Sequence, residues 1–327
     1  MDLLPGAAGV LGILNDFEKK KAPSTFETIR AHVNWEQQGK DDQALTGVLD
    51  QLVGYELATH SGTAYSLTKK GSVQLKQSMS QGFSAMLLAA EQSAVSKKFC
   101  QQVYGIDLCQ FNMMSRAQMD KLLEEMNLGK DDQVLDLGCG VGLISEYVSD
   151  VTGAAVFGID FATEVIERAR ERTVKKRGRL SYQVMDMDAL SLPSHSFSGV
   201  ISIDTLYFVN DLEGTIRSVR ECLRTNGRMG IFYSTRVSPE EAVEALEPRH
   251  TPLAKVLKQC GLDFQTWDFT HDECEIWEKV LSVSEELKDE YEAEGNIEIY
   301  QSSIAEARPL LESARSGRIG RYLYLVE

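Results

Sequence analysis

Residues 134–142 read Val-Leu-Asp-Leu-Gly-Cys-Gly-Val-Gly, an apolar run with one acid that stops on three glycines at alternate positions. The run has the pattern of a buried strand. The glycines at its end permit positive φ in a tight turn and let a ligand approach the backbone with no Cβ in the way. From Val134 onward, strand-like and helix-like stretches alternate: "QVLDLG", "ISEYVSDV", "AVFGID", "TEVIERARER", "LSYQVMD", "FSGVISID", "LEGTIRSVRECL", "GRMGIFYS", "PLAKVLKQCG" and "FQTWDFT". This predicts an α/β fold with a doubly wound, mostly parallel sheet, in which ligands bind beyond the carboxyl ends of the strands where strand order reverses. A nucleoside-like ligand on the glycine turn is the expectation.

The spacing narrows the nucleoside. A dinucleotide fingerprint needs glycines at 138, 140 and 143, but 143 is Leu and the third glycine is Gly142. Asp-Leu-Gly-Cys-Gly-Val-Gly instead resembles the first motif of the class I S-adenosylmethionine-dependent methyltransferases, and the resemblance extends over roughly residues 115–270. It implies a Rossmann-like, seven-stranded, mostly parallel sheet, S-adenosyl-L-methionine as cofactor, and a set of contacts. Asp136 stands at the motif's acid, and Gly138, Cys139, Gly140 and Gly142 form the loop. Asp160, ending "AVFGID" with Phe161 after it, accepts both ribose hydroxyls, a task for an acceptor-only group. "DALSLP" (188–193) puts Asp188 on the adenine amine and the Ala189 backbone on a ring nitrogen, with Asp186 as the lesser alternative. Ile203, in "FSGVISIDTLYFV", faces the sulfonium. The family's Phe-Asp is here Phe197-Ser198, and Thr225-Asn226 replaces its usual Pro-Gly.

The family's reaction is one in-line displacement from a sulfonium with a neutral leaving group. The protein mainly aligns donor and acceptor and excludes water. A base matters where the acceptor starts protonated, and Asp204 and Tyr207, delivered by the fourth strand, are the first candidates. Asp204 is equally a helix cap. His271, followed by Asp272, is the third candidate. Tyr104 and Phe111, in "VYGIDLCQFNMMS" (103–115), are either a lid over the cofactor or core residues joining two domains. No metal site is expected, because the six cysteines are dispersed without a C-x-x-C pair.

A length of 327 residues predicts two domains. "STFETIRAHV", with Ser24 and Glu27 at capping-box spacing, and "DDQALTGVLDQLVG" read as helices, and "YELATH", "SGT" and "AYSLTKKG" as a hairpin. That order over roughly residues 20–78 resembles a winged-helix domain. Residues 43–53, its would-be reading helix, carry no Lys or Arg, which favours packing or dimerisation over DNA reading. The expected domains are 1–78, a helical connector or lid at 79–114, and 115–327 with a mostly helical insertion at about 271–320. "RYLYLVE" would be the last strand, in a closing antiparallel pair. Trp277, Tyr291 and Tyr300 lie among the acids of this insertion, a lining suited to a cationic amine.

A formal net charge of −15 repels a phosphate backbone, so no nucleic-acid partner is expected. No apolar run is long enough to span a membrane, and the basic residues of the opening stretch follow its apolar part, the reverse of a secretory signal. The expectation is therefore a cytoplasmic, possibly homodimeric methyltransferase acting on a small molecule. Three rivals remain: a DNA-binding regulator that senses the cofactor, a nucleic-acid methyltransferase, and a nicotinamide-dependent oxidoreductase. The second lacks the Asn/Asp-Pro-Pro-aromatic motif at "IDTLYF", and Leu143 opposes the third.

Overall fold

The computed structural model describes residues 3–4, 6–19, 22–33, 41–111 and 114–327. Asn112 and Met113 of the expected lid segment, and residues 34–40 between the first two helices of the winged-helix resemblance, lie outside the described residues. The chain divides into two compact units, Met1–Phe83 and Ser84–Glu327.

The first unit contains α1 (Ala7–Lys19), α2 (Phe26–Val33), α3 (Asp42–Gly54), the antiparallel pair β1 (Ala58–Ser61) and β2 (Ala64–Leu67), and the start of α4 (Lys69–Gln92). Leu45, Val48, Leu49 and Leu52 form the buried stripe of α3, as their spacing predicts, and pack in one core with Val10, Leu11, Leu14 and Ile29. Two local expectations shift. The cap of α2 is Thr25, whose Oγ1 accepts from Thr28 N at 3.3 Å while Thr25 N donates to Thr28 Oγ1 at 2.8 Å. Ser24, placed one residue earlier as the cap, instead gives its hydroxyl to the Tyr65 carbonyl. Lys69-Lys70-Gly71 belongs to α4 rather than to the hairpin, because the Thr68 hydroxyl accepts from Gly71 N at 2.9 Å and starts the helix there.

The second unit begins within α4 and continues through α5 (Ala94–Tyr104), α6 (Arg116–Met126), β3 (Gln133–Leu137), α7 (Leu143–Thr152), β4 (Ala155–Asp160), α8 (Thr163–Arg172), β5 (Leu180–Val184), β6 (Phe197–Ile203), α9 (Leu212–Cys222), β7 (Leu223–Arg236), α10 (Pro252–Gln259), β8 (Phe264–Asp268), α11 (Glu273–Glu294), α12 (Ile297–Arg315) and β9 (Ile319–Val326). The seven strands lie in the order β5-β4-β3-β6-β7-β9-β8, with β9 antiparallel to both neighbours. This is the Rossmann-like sheet with a closing antiparallel pair that the sequence predicts, and α11 and α12 fill the expected insertion. The chain leaves β3 toward β4 on one side and returns to β6 on the other, so strand order reverses beside the glycine turn.

The helix α6 illustrates how the sheet is covered. Ser115 caps it, accepting from Gln118 N at 3.3 Å, and Met119, Leu122 and Met126 turn inward. At Gly230 of β7 an added Cβ would lie 2.4 Å from Leu122 Cδ1 and 2.9 Å from Met126 Sδ, so the helix rests directly on bare backbone. Overpacking of this kind costs about 1–3 kcal/mol. Gly230→Val should lower the thermal midpoint by roughly 3–10 °C in an unfolding scan, and an unchanged midpoint would contradict this contact.

Candidate active site

At the end of β3 the backbone takes positive φ at Gly138 (+75°), Gly140 (+51°) and Gly142 (+76°). An added Cβ would meet Thr205 Cγ2 at 2.5 Å from Gly138 and the Tyr182 hydroxyl at 2.7 Å from Gly142. Conformation and space both demand glycine there. The turn is pinned to the next strand, with Gly138 N and Cys139 N donating to the Ile159 carbonyl at 2.8 and 2.9 Å. Asp160, one residue on, accepts from Gly140 N at 3.1 Å through Oδ2 and from Ala162 N at 3.0 Å through Oδ1. It is 6% exposed, and burial pushes its pKa up. The acid expected on the ribose is thus fixed against the loop, with Phe161 half-buried beside it.

Leu87, in the last turns of α4, lies over Gly140, its Cδ2 3.0 Å from where a Cβ would be. Those turns are clamped: Arg168 donates to Glu91 through Nε at 2.9 Å and Nη2 at 3.0 Å, and Arg172 Nε approaches Glu91 at 3.3 Å. Arg172 also donates to the Val141 carbonyl of the loop at 2.8 Å and to Glu146 at 2.7 Å. The helix and the glycine turn are therefore tied through one guanidinium.

Of the two acids after β5, Asp186 Oδ1 accepts from Asp188 N at 3.0 Å. Asp188 faces the segment after β6, accepting from Asn210 N at 2.8 Å, Asp211 N at 3.1 Å and Asn210 Nδ2 at 3.1 Å. Its carboxylate joins two loops of the unit. Ala189 is exposed, while Ile203 and Tyr104 are buried.

Asp204 and Tyr207 come together, in company the sequence does not announce. Arg321 of β9, fully buried, grips Asp204 with two hydrogen bonds, Nη1 to Oδ1 at 2.8 Å and Nη2 to Oδ2 at 2.9 Å. It also donates to Ser234 Oγ at 3.0 Å and Gln118 Oε1 at 3.1 Å, and its guanidinium lies 5.1 Å from the Phe232 ring. Tyr207 donates to Asp204 Oδ1 at 2.9 Å and accepts from Ser234 N at 2.5 Å. Burial first, and then the Asp204 charge, hold its phenol protonated well above the ordinary range. Glu273 lies 3.9 Å from Arg321 Nε and accepts from Trp277 Nε1 at 3.1 Å. Burial raises its pKa to about 7 against the pull of Arg321. His271 is not part of this group: its side chain is 77% exposed and pairs with Asp272 at 2.8 Å, because the short turn after β8 carries it outward.

Next to this network α4, α5, α11 and α12 enclose a cavity of about 70 Å³, space for a handful of waters. Tyr104, Phe111, Trp277 and Tyr291 are among its lining, and Tyr300 is not. Tyr104 is thus at once core, in one cluster with Phe99 and Trp277, and cavity wall.

Beneath the loop Asp136 is 3% exposed and accepts from the Ser145 hydroxyl at 2.5 Å. Burial raises its pKa from 3.8 to about 7, with the Asp160 charge adding to the rise. The folded state therefore binds more protons than the unfolded one between about pH 4 and 7, and stability is lost as pH rises through that window. Asp136→Asn keeps an acceptor for Ser145 and removes the charge. The melting temperature of this variant relative to the parent should climb from pH 5 to pH 8, and a gap independent of pH would contradict the assignment.

Residues 135–231 match the sequence profile of a family described as "Methyltransferase domain". The chain is 26% identical to phosphoethanolamine N-methyltransferase 1 of Zea mays over 207 residues, 60% of this chain and 41% of that protein. It is 29% identical to a ubiquinone biosynthesis O-methyltransferase of Coxiella burnetii over 115 residues, 35% of this chain and 48% of that one. The chain thus spans about two fifths of the length of the phosphoethanolamine relatives it matches. Among solved structures, Haemonchus contortus phosphoethanolamine N-methyltransferase 2, in complex with phosphomonomethylethanolamine and S-adenosylhomocysteine, shares the fold at a TM-score of 0.57 and 18% identity, covering 73% of this chain and 58% of that one. Geranyl diphosphate C-methyltransferase of Streptomyces coelicolor does so at 0.52 and 18%, covering 65% and 77%. With the glycine turn, the adjoining acid and the strand order already in place, residues 135–231 of the second unit carry a methyltransferase-domain match on a Rossmann-like sheet shared with solved methyltransferases.

Proposed function

We propose that this chain transfers a methyl group from S-adenosylmethionine to a small-molecule acceptor. The observation that carries the reading is the pairing of a side-chain-free turn at Gly138–Gly142 with the buried Asp160 carboxylate held against it. When bound, the cofactor supplies a methyl group already activated on a sulfonium. The chain's part is to hold and orient. Each Asp160 oxygen accepts from a backbone N–H and has a further lone pair for a ribose hydroxyl. Gly138, Cys139, Gly140 and Gly142 present bare backbone, with Asp136 behind them, and Phe161, Ile203 and Tyr104 supply apolar walls. For the adenine we keep Asp188 and Ala189 as the contacts, with Asp186 as the alternative. The three donors already on Asp188 favour its neighbour.

Asp204 and Tyr207 we read as supports of the acceptor side. Both Asp204 oxygens are engaged by Arg321, the Tyr207 phenol is held protonated, and an outward His271 is too remote to replace them. In-line transfer from a sulfonium depends on alignment more than on a base. Leu87 lies where a ligand on Gly140 would press, so loading of the site requires the last turns of α4 to shift. The first unit we read as a winged-helix-like packing or dimerisation module without a nucleic-acid partner, since α3 carries no basic residue. Among the described residues no helix is long and apolar enough to cross a membrane, in keeping with a cytoplasmic site of action.

Titration calorimetry on the purified chain tests the reading. S-adenosylmethionine and S-adenosylhomocysteine should both bind, and Asp160→Ala should weaken binding about tenfold or more, the loss of a charge-assisted hydrogen bond. Absence of binding to the parent chain would remove the assignment.

A further inference from the structure

The cavity beside the Asp204–Arg321 network has an unusual balance of chemistry. Rings from Phe99, Tyr104, Phe111, Trp277 and Tyr291 line it, and Glu306 of α12 is the one charged residue among its lining. No described residue hydrogen-bonds or ion-pairs with the Glu306 carboxylate. Glu306 is exposed to solvent and stands in the wall of the hollow, and the protein packed around it raises its pKa, with the Asp204 charge adding to the rise. Trp277 of the lining donates to Glu273, which lies 3.9 Å from Arg321, the partner of Asp204, and this run of contacts sets the cavity beside the end of β6, at the carboxyl edge of the sheet. A carboxylate with no cation, set among aromatic faces, attracts a compact organic cation: the ring quadrupoles and the carboxylate act on the same charge, and both gain from partial desolvation.

We propose that this cavity is a binding site for an alkylated ammonium group, with Glu306 as its counter-ion, so that the methyl acceptor is an amine. The inference rests on the methyl-transfer reading above and names its substrate class. The bound ammonium first gives an N–H proton to solvent, which frees the nitrogen lone pair; the carbon–sulfur bond then breaks, sulfur keeps its electron pair as a neutral thioether, and the freed lone pair forms the new nitrogen–carbon bond. The positive charge passes from sulfur to nitrogen. A carboxylate and ring faces around that nitrogen stabilise the charge where it develops.

The test uses the full chain saturated with S-adenosylhomocysteine and two probes of similar size, tetramethylammonium and the neutral tert-butanol, with binding followed by calorimetry. Tetramethylammonium should bind about tenfold or more tightly than tert-butanol, and Glu306→Gln, at an unchanged melting temperature, should bring the two to about parity. Equal affinities in the parent chain, or a cation preference that survives Glu306→Gln, would overturn the ammonium site while S-adenosylhomocysteine binding leaves the methyl-transfer reading standing. Failure to bind S-adenosylhomocysteine would overturn both.

Discussion

The close approach of backbone to side chain at the end of β3 is the constraint on which the site depends. Gly138 and Gly142 sit against Thr205 and Tyr182 at distances no Cβ could occupy, and both hold a left-handed conformation. That geometry lets the turn fold back onto Ile159 and Asp160. It thereby places peptide groups and a carboxylate, rather than side-chain bulk, at the point where strand order reverses. Thr205, which fills the space beside Gly138, donates to the Leu137 carbonyl at 2.8 Å, so the segment after β6 is fixed to the same turn. The nucleotide side and the acceptor side of the site are therefore built on one piece of backbone.

The acceptor side owes its form to a buried charge. A guanidinium without exposure to water is tolerable only where its donors are met and its charge is opposed. Arg321 achieves this through Asp204 just after β6, Ser234 of β7 and Gln118 of α6, with Glu273 of α11 nearby. Burial alone would make Arg321 easier to deprotonate, but the Asp204 ion pair outweighs it and its pKa is raised. The network spans sheet and cap, and this joins the helical insertion to the strand ends in a fixed geometry. It also leaves Asp204 with its positive φ of +56° over-determined by contacts, a state that such strain requires in order to persist.

Much of this was legible in the sequence because it is written locally. The glycine turn, the alternation of strands and helices, the acid ending β4 and the helical insertion each depend on residues close together in the chain. What was not legible depends on distant pairs. Asp204 meets Arg321 across 117 residues, and Arg321 is the one charged residue in a strand buried along its whole length, with nothing nearby in the sequence to name its partner. Glu306 is one of three acids on α12 until the fold sets it in the wall of a ring-lined hollow. Asp188 matches a family motif by spacing, yet its carboxylate is drawn to the backbone of Asn210 and Asp211, a choice set by loop packing. His271 follows the right strand but sits on a turn that aims it at solvent, and the contact of Leu87 with Gly140 comes from a helix that begins ten residues before the expected connector.

The most direct measurement is a crystal structure of the chain grown with S-adenosylhomocysteine. The account predicts the adenosyl group against Gly138–Gly142, its ribose hydroxyls on Asp160, and Leu87 displaced from its place over Gly140. Ligand density elsewhere, with Leu87 still seated on Gly140 and the Asp160 oxygens bonded to backbone alone, would contradict it.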